Sequence, residues 1–341
     1  MSEEERLPTR QTSLPDRIKM AMQSPEDYYI VKYLQMTVER VVIKLEKTKM
    51  TIDYGEGFGQ FVLSFTKDSF NNLPEESLPK PFSILGIFHG LVSKFTEPEP
   101  GFDMRKWFDY LRDIIISTHI ALDFGPGVEC FSFEIIKRFL HGMGVSEIII
   151  PELNNEYFRK ILYEYPAVKY WVLAHEGPRD DEIYKEIMRR DTFHLCLQPN
   201  CKISLDDISN CNIVNLEIWY TPDTSNQLSQ KDLNTFLKNW INGSNSNMKS
   251  LSIKMEFEEL DFEFTNNVLA GINYTDAPNY RRRKFPRSFM RHTGTDKDFI
   301  EYKGGYDFFR KDGLRGTIFY ALDDAYGDLA SFRFIVWPNF R

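Results

Sequence analysis

The alternation of apolar and polar positions is most regular between about residues 117 and 256, where the pattern apolar-x-x-apolar-x-apolar recurs six times. The copies end at Ile120-x-Leu122, Ile148-x-Ile150, Trp171-x-Leu173, Leu195-x-Leu197, Leu216-x-Ile218 and Leu251-x-Ile253. Val145, Val168, Ile213 and Met248 supply the leading apolar residue of four of them. A period of two predicts a strand at each copy. The copies lie 28, 23, 24, 21 and 35 residues apart, and between them the period becomes helical. Phe131, Ile135 and Phe139 share one helical face, as do Phe158, Ile161, Leu162 and Tyr165, and then Ile183 and Ile187. The clearest helix is Ser229 to Gly243. Ser229-x-x-Asp232 offers a capping box, Leu233, Phe236, Leu237, Trp240 and Ile241 form the apolar stripe, and Gly243 ends it.

Strand–helix units at a mean spacing near 26 residues imply an α/β fold, read here as an irregular leucine-rich-repeat-like solenoid. The alternative is an ordinary α/β domain whose strands do not stack in sequence order; the repeated phase favours the solenoid. The asparagine that closes a standard leucine-rich repeat has a counterpart only at Asn200, so no asparagine ladder is expected.

The flanks read differently. Residues 1–13 are polar and predict a disordered leader, after which Leu14-Pro15-Asp16 and Ser24-Pro25-Glu26-Asp27 each carry a helix-starting signal. Tyr29, Tyr33, Met36 and Val41 continue at roughly helical spacing, giving a short N-terminal helical segment. From Val41 the residues Ile43, Leu45, Met50, Ile52, Phe61, Leu63 and Phe65 alternate as strands do, with Gly55, Gly57 and Gly59 at a hairpin turn. Prolines at 74, 79, 81, 98 and 100 make 66–104 a long connection, with Ile84 to Phe95 tucked onto the core. Beyond Gly271 the helical pattern stops. Arg281-Arg282-Arg283-Lys284, Arg287 and Arg291 form a basic cluster, either a solvated loop or a receiver of phosphate or acidic peptide. Phe299–Lys303, Tyr306–Arg310, Gly316–Leu322 and Phe332–Trp337 predict a C-terminal antiparallel β cap, turned at Lys311-Asp312-Gly313.

Composition narrows the function classes. Lys plus Arg number 42 against 50 Asp plus Glu, a net charge of −8, which argues against a general nucleic-acid binder. The aromatic content of 15% demands a large buried core. Apolar runs such as Ile114-Ile115-Ile116 are too short to span a bilayer, and the acidic N-terminus is no signal peptide. An intracellular protein, cytoplasmic or nuclear, is expected. Cys130, Cys196, Cys201 and Cys211 contain no C-x-x-C pair. A zinc site would have to recruit His194 with Cys196 and Cys201 at unusual spacing, so reduced, mostly buried thiols are expected instead. No nucleophile elbow, Walker loop, dinucleotide fingerprint, H-E-x-x-H or kinase set is present. No catalytic residue, metal or cofactor is therefore assigned.

If the anchors of the six copies point inward, the residues alternating with them form the other face of a parallel sheet. Tyr170, His194, Gln198, Glu217, Trp219 and Lys254 are the candidate partner-binding residues there. A covering segment would make that patch structural instead.

The stretches Ser204-Leu205-Asp206-Asp207, Val214-Asn215-Leu216-Glu217-Ile218, Asp232-Leu233-Asn234-Thr235-Phe236-Leu237-Lys238-Asn239-Trp240-Ile241-Asn242-Gly243 and Leu251-Ser252-Ile253 together carry a resemblance. They are similar to the nematode F-box-associated type 2 domain, with its DLN-x-FLK-x-W-x-x-G helix and following short strand. Tyr306–Gly313 and Phe332–Trp337 resemble that family's ending. The resemblance implies an F-box that docks on the linker subunit of a cullin-based SCF ubiquitin ligase, while the associated domain holds a protein substrate. Leu14, Pro15, Ile18, Pro25, Tyr28 and Tyr29 are then the candidate linker contacts, in an F-box that is degenerate or truncated. The expected organisation is a leader at 1–13, a degenerate F-box-like helical segment at 14–45, and a β-hairpin with Pro-rich connection at 46–114. The F-box-associated type 2 domain follows at 115–341, with repeat units to about 272 and the β cap at 298–341. A stand-alone binding module or scaffold that no longer assembles with the ligase is the alternative.

Overall fold

The computed structural model describes residues 14–21, 23–55, 58–70, 73, 77–88, 90–95, 101–176, 181–197, 203–220, 228–256, 262–278, 280–284, 299–302, 304–322 and 329–337. The leader at 1–13, Gln198, Asn200, Cys201, Arg287 and Arg291 lie outside these residues. The fold is α/β with mixed β pairing, in two compact units, Met1–Val168 and Lys169–Arg341. That division falls inside the third copy of the repeated pattern, just after its leading Val168.

The first unit opens with α1 (Leu14–Ala21) and α2 (Pro25–Tyr33). Ser24 caps α2 by accepting from the Asp27 N–H at 3.1 Å, and Pro25 occupies the first turn, where its missing N–H costs nothing. The helical reading through Val41 is corrected here: the helix ends at Tyr33 and Met36–Glu46 is a strand, β1. The cause is in its second half, where Val41, Ile43 and Leu45 are buried in alternation. Such a period-2 stripe satisfies a sheet and would scatter around a helix.

β2 (Lys49–Asp53) and β3 (Gln60–Ser64) form the expected hairpin. Gly59 has φ +88°, and a Cβ there would lie 2.5 Å from the Ile87 carbonyl oxygen, so the turn requires glycine. The long connection expected over 66–104 is instead largely structured. β4 (Ser83–Phe88) and β5 (Leu91–Phe95) extend the hairpin into a four-stranded antiparallel meander, and α3 (Met104–Ile114) follows. Asp103 caps α3, accepting from the Arg105 and Lys106 N–H groups at 2.9 Å each. Met104, Trp107, Phe108 and Leu111 bury one complete face of that helix.

Next come β6 (Ile115–Phe124), α4 (Phe133–Leu140), β7 (Val145–Glu152) and α5 (Asn155–Glu164). The sheet order of this unit is β7-β6-β1-β2-β3-β4-β5. β1, β6 and β7 run parallel, and the meander from β1 to β5 is antiparallel. From α3, the Arg105 guanidinium donates to the Phe139 and His141 carbonyls at 2.8 and 2.7 Å, satisfying the open end of α4.

The second unit continues the strand–helix alternation: β8 (Tyr170–Glu176), α6 (Asp181–Arg189), β9 (Thr192–Leu197), α7 (Leu205–Ser209), β10 (Ile213–Trp219), α8 (Gln230–Ile241) and β11 (Ser250–Glu256). β8 to β11 pair in parallel and in sequence order. Both halves of the Ser229–Asp232 capping box are made at the start of α8, and Ser204 with Asp207 repeats it on α7. After α9 (Phe262–Val268), the chain forms β12 (Thr275–Asp276), β13 (Arg281–Lys284), β14 (Phe299–Tyr302), β15 (Tyr306–Phe309), β16 (Arg315–Leu322) and β17 (Leu329–Val336). The antiparallel set expected at 298–341 is corrected in one respect. β17 inserts between β11 and β16, and β15 and β12 follow, whereas β14 leaves the set to pair with β13 in a separate ribbon.

The helix-covered face of β8 to β11 and β15 to β17 is apolar and fully buried, as at Trp171, Leu195, Leu216, Leu251, Phe332 and Phe308. Trp240 of α8 sets its ring against Phe334 at 5.0 Å and Phe308 at 5.8 Å. Gly316 makes room beneath it, since a Cβ there would lie 3.0 Å from the Trp240 ring and 2.9 Å from Phe334.

Candidate partner-binding face

Parallel strands paired in register put residues of one parity on one face. Tyr170 pairs with His194 and His194 with Asn215; Glu217 pairs with Ser252 and Trp219 with Lys254. The candidate residues Tyr170, His194, Glu217, Trp219 and Lys254 therefore do share a face of β8 to β11.

That face is not the open surface the sequence implied. His194 is 0% exposed, Glu217 6% and Lys254 7%; Tyr170 and Trp219 are half-buried. Three of the five are thus corrected from contact residues to interior ones. Several of the buried polar groups satisfy one another across neighbouring strands. The Trp219 indole N–H donates to Glu217 Oε1 at 2.7 Å, and Lys254 Nζ lies 3.9 Å from the same oxygen and 3.5 Å from the Trp219 ring centroid. The lysine is held between an anion and the negative face of a ring. In the neighbouring row, Ser250 donates to Asn215 Oδ1 at 2.8 Å, and the Asn215 amide donates to the Phe193 carbonyl at 3.0 Å.

Further along the same face, beyond β11, a second polar group lies in the row of Ser250, Ile335, Thr317 and Asp307, and the sequence reading missed it. Arg281 forms a two-pronged ion pair with Asp307, with Nη1 to Oδ1 at 2.8 Å. Thr317 donates to Asp307, the Trp337 indole N–H donates to Thr317 at 2.7 Å, and the Arg281 guanidinium lies 5.2 Å from the Trp337 ring centroid. Asp307 is 5% exposed and Thr317 1%. Arg281, expected in a solvated loop or as a receiver of phosphate or acidic peptide, is instead one half of an internal ion pair. The available signal was Asp307 itself, a charge between Tyr306 and Phe308 on a strand otherwise filled with aromatics.

The first unit repeats the theme. Arg40 on β1 grips Glu147 on β7 with two hydrogen bonds of 2.9 and 2.8 Å, and Glu147 is 5% exposed. On the same face, burial pushes the Asp123 carboxyl up to about 6; Glu46 and Glu147 add to the rise, against Lys44 and Arg40. Between the unfolded value near 3.8 and about 6, the folded chain keeps a proton that the unfolded chain has lost. Stability is therefore expected to fall as pH rises through that window and to level off above it. Asp123→Asn should flatten this slope and raise stability at pH 7.5 by about 2 kcal/mol, read by urea denaturation at a series of pH values.

The candidate linker contacts divide in two. Leu14 and Pro15 start α1, and their side chains lie outside the described set. Ile18 is 0% exposed and faces inward. Tyr28 donates to Asp113 at 2.6 Å and stacks on Tyr110 with ring centroids 4.9 Å apart. Ile18 and Tyr28 are thus corrected to packing residues that fix α1 and α2 to the unit. Pro25 and Tyr29 face solvent, with Tyr33 one turn beyond Tyr29 on the same side.

The chemistry of these groups is that of held polar contacts. Burial, and next the Glu217 charge, raises the Cys196 thiol well above its ordinary range, which disfavours the nucleophilic thiolate. Burial likewise pushes Cys211 up to about 11, while Cys130 is exposed. Among the described residues no group of three or more His, Cys, Asp or Glu side chains is arranged to hold a metal ion. Among them, too, no helix is long and apolar enough to cross a membrane.

Residues 183–253, from α6 into β11, match the family described as F-box associated. Over 208 residues, 59% of its length, the chain is 24% identical to the F-box associated domain-containing protein sdz-33 of Caenorhabditis elegans. The chain spans about three fifths, 61%, of the length of that curated relative. No solved structure matches the chain. The matched residues supply three of the four parallel strands beneath the candidate face, and over that stretch the chain is similar to the F-box associated family.

Proposed function

We propose that this chain is a non-enzymatic protein-interaction adaptor that serves as the substrate-recognition subunit of an SCF-type ubiquitin ligase. The F-box associated match over 183–253 carries this reading. In support, Pro25, Tyr29 and Tyr33 present an apolar, solvent-facing edge on α2, within the segment that resembles an F-box. The second unit holds a protein substrate, the half-exposed Tyr170 and Trp219 being the members of the candidate face still reachable by it. Ubiquitin transfer itself belongs to the partner enzymes.

The test is retention of the F-box-binding linker subunit by the full-length chain in a two-component pull-down. Deleting residues 1–45 would not serve, because β1 lies between β6 and β2 and its loss would open the sheet. The double variant Tyr29→Ala, Tyr33→Ala removes only exposed rings. It should weaken retention at least about tenfold with an unchanged melting temperature. Failure of the wild-type chain to retain the linker would sink the ligase reading. The second reading, a stand-alone leucine-rich-repeat-like solenoid or scaffold, would then take its place; the sequence-ordered parallel run β8 to β11 favours it.

A further inference from the structure

Within the first unit, β5 is the outermost strand of the sheet among the described residues, paired with β4 along Leu91–Phe95. Strand edges are templates for further pairing unless proline, bulges, charge or a cover protects them. β5 contains no proline and a single charge, Lys94. Leu91 is 74% exposed and Val92 63%, while Phe95 is buried at 5%. By contrast, the edge strand of the second unit, β12, is two residues long and polar, a form that resists pairing.

The sequence of β5, Leu91-Val92-Ser93-Lys94-Phe95, is complementary to itself when two copies run antiparallel about Ser93. Leu91 then stands opposite Phe95, Val92 opposite Lys94, and Ser93 opposite Ser93. The exposed leucine gains an aromatic neighbour, and the aliphatic stem of the lysine covers the valine. Other registers are worse. Centring on Lys94 opposes two like charges, and centring on Val92 leaves Lys94 and Phe95 without opposite residues. A one-residue slip sets the core-facing row against the solvent-facing row.

We propose that β5 pairs antiparallel with β5 of a second copy of this chain, centred on Ser93, joining two first units edge to edge. Five residues a side bury less than the roughly 1,000 Å² of a standing interface, so the dimer is reversible and concentration-dependent.

Sedimentation velocity of the full chain over a concentration series tests this, with two substitutions at one position. Val92→Lys opposes Lys94 of the second copy twice over and should weaken association at least about tenfold. Val92→Glu places an opposite charge there and should strengthen it. Melting temperatures of both variants, taken where each is monomeric, show that the fold is intact. Non-specific adhesion through an apolar edge predicts that both substitutions weaken association, and that result would overturn the proposal. A chain that stays monomeric at every concentration would overturn it too, including one whose β5 edge instead accepts an extended peptide.

Discussion

Asp307→Ala is expected to destabilise the second unit by about 3–5 kcal/mol, because it strands the Arg281 guanidinium in the interior without its counter-ion. For a unit of this size the loss corresponds to roughly 6–20 °C in melting temperature. The damage extends past the ion pair, since Thr317 also bonds Asp307 and holds the Trp337 indole. The informative comparison is the double variant Arg281→Met, Asp307→Leu. Replacing both charges with apolar groups of similar size removes the desolvation cost along with the attraction, and it should cost far less than the single change. Chemical denaturation of both variants decides between the two. If the double variant were as unstable as Asp307→Ala, the loss would lie in packing around Trp337 and Thr317 and not in the stranded charge.

Trp240→Ala is the second large effect, at about 3–5 kcal/mol. The ring is fully buried against Phe308, Phe334 and the Cα of Gly316, so its removal leaves a cavity whose rigid aromatic walls cannot collapse. Trp240→Phe should cost about 1–2 kcal/mol, for two reasons. A six-membered ring remains in the slot, and the buried indole N–H of Trp240, which has no hydrogen-bond partner among the described residues, is no longer held away from water. Calorimetric melting of the two variants gives the ratio directly. Near-equal losses would mean that the indole contributes through something other than its volume.

The parts of the fold legible in the sequence were those where one local period decides the structure. Each of the six copies is a strand, and in five of them both closing anchors are buried, as Leu195 and Leu197 are on either side of Cys196; Ile120 of the first copy is half-buried beside a register shift. The helix from Ser229 was legible because its cap, stripe and stop are all local. Met36 to Arg40 was misread because Met36 and Val41 continue the helical spacing of Tyr29 and Tyr33, and only pairing with residues 115–119 shows the stretch to be a strand. α3 was hidden by the prolines before it, although Trp107, Phe108 and Leu111 have the spacing of a buried helical face.

The candidate face was half legible for a related reason. Parity along a strand says which residues share a face, and Glu217, Trp219 and Lys254 do meet. Whether that face meets water depends on segments distant in sequence, and parity carries no information about them. The bonds of Asp307 to Arg281 and of Glu147 to Arg40 span 26 and 107 residues. Each charge stood out locally as an oddity in an apolar strand, but its partner could not be named.

The position of β1 between β2 and β6 has a consequence for biosynthesis. Met36 pairs with Ile115, so the ribosome must add about 79 more residues before the parallel neighbour of β1 exists. At roughly 5–20 residues per second this is about 4–16 s. By the end of that interval β1 has the β2–β5 meander on one edge and nothing on the other, with Val41, Ile43 and Leu45 awaiting a finished core. The nascent chain is most in need of a holding chaperone in that interval, and slower translation of residues 47–115 would lengthen its exposure.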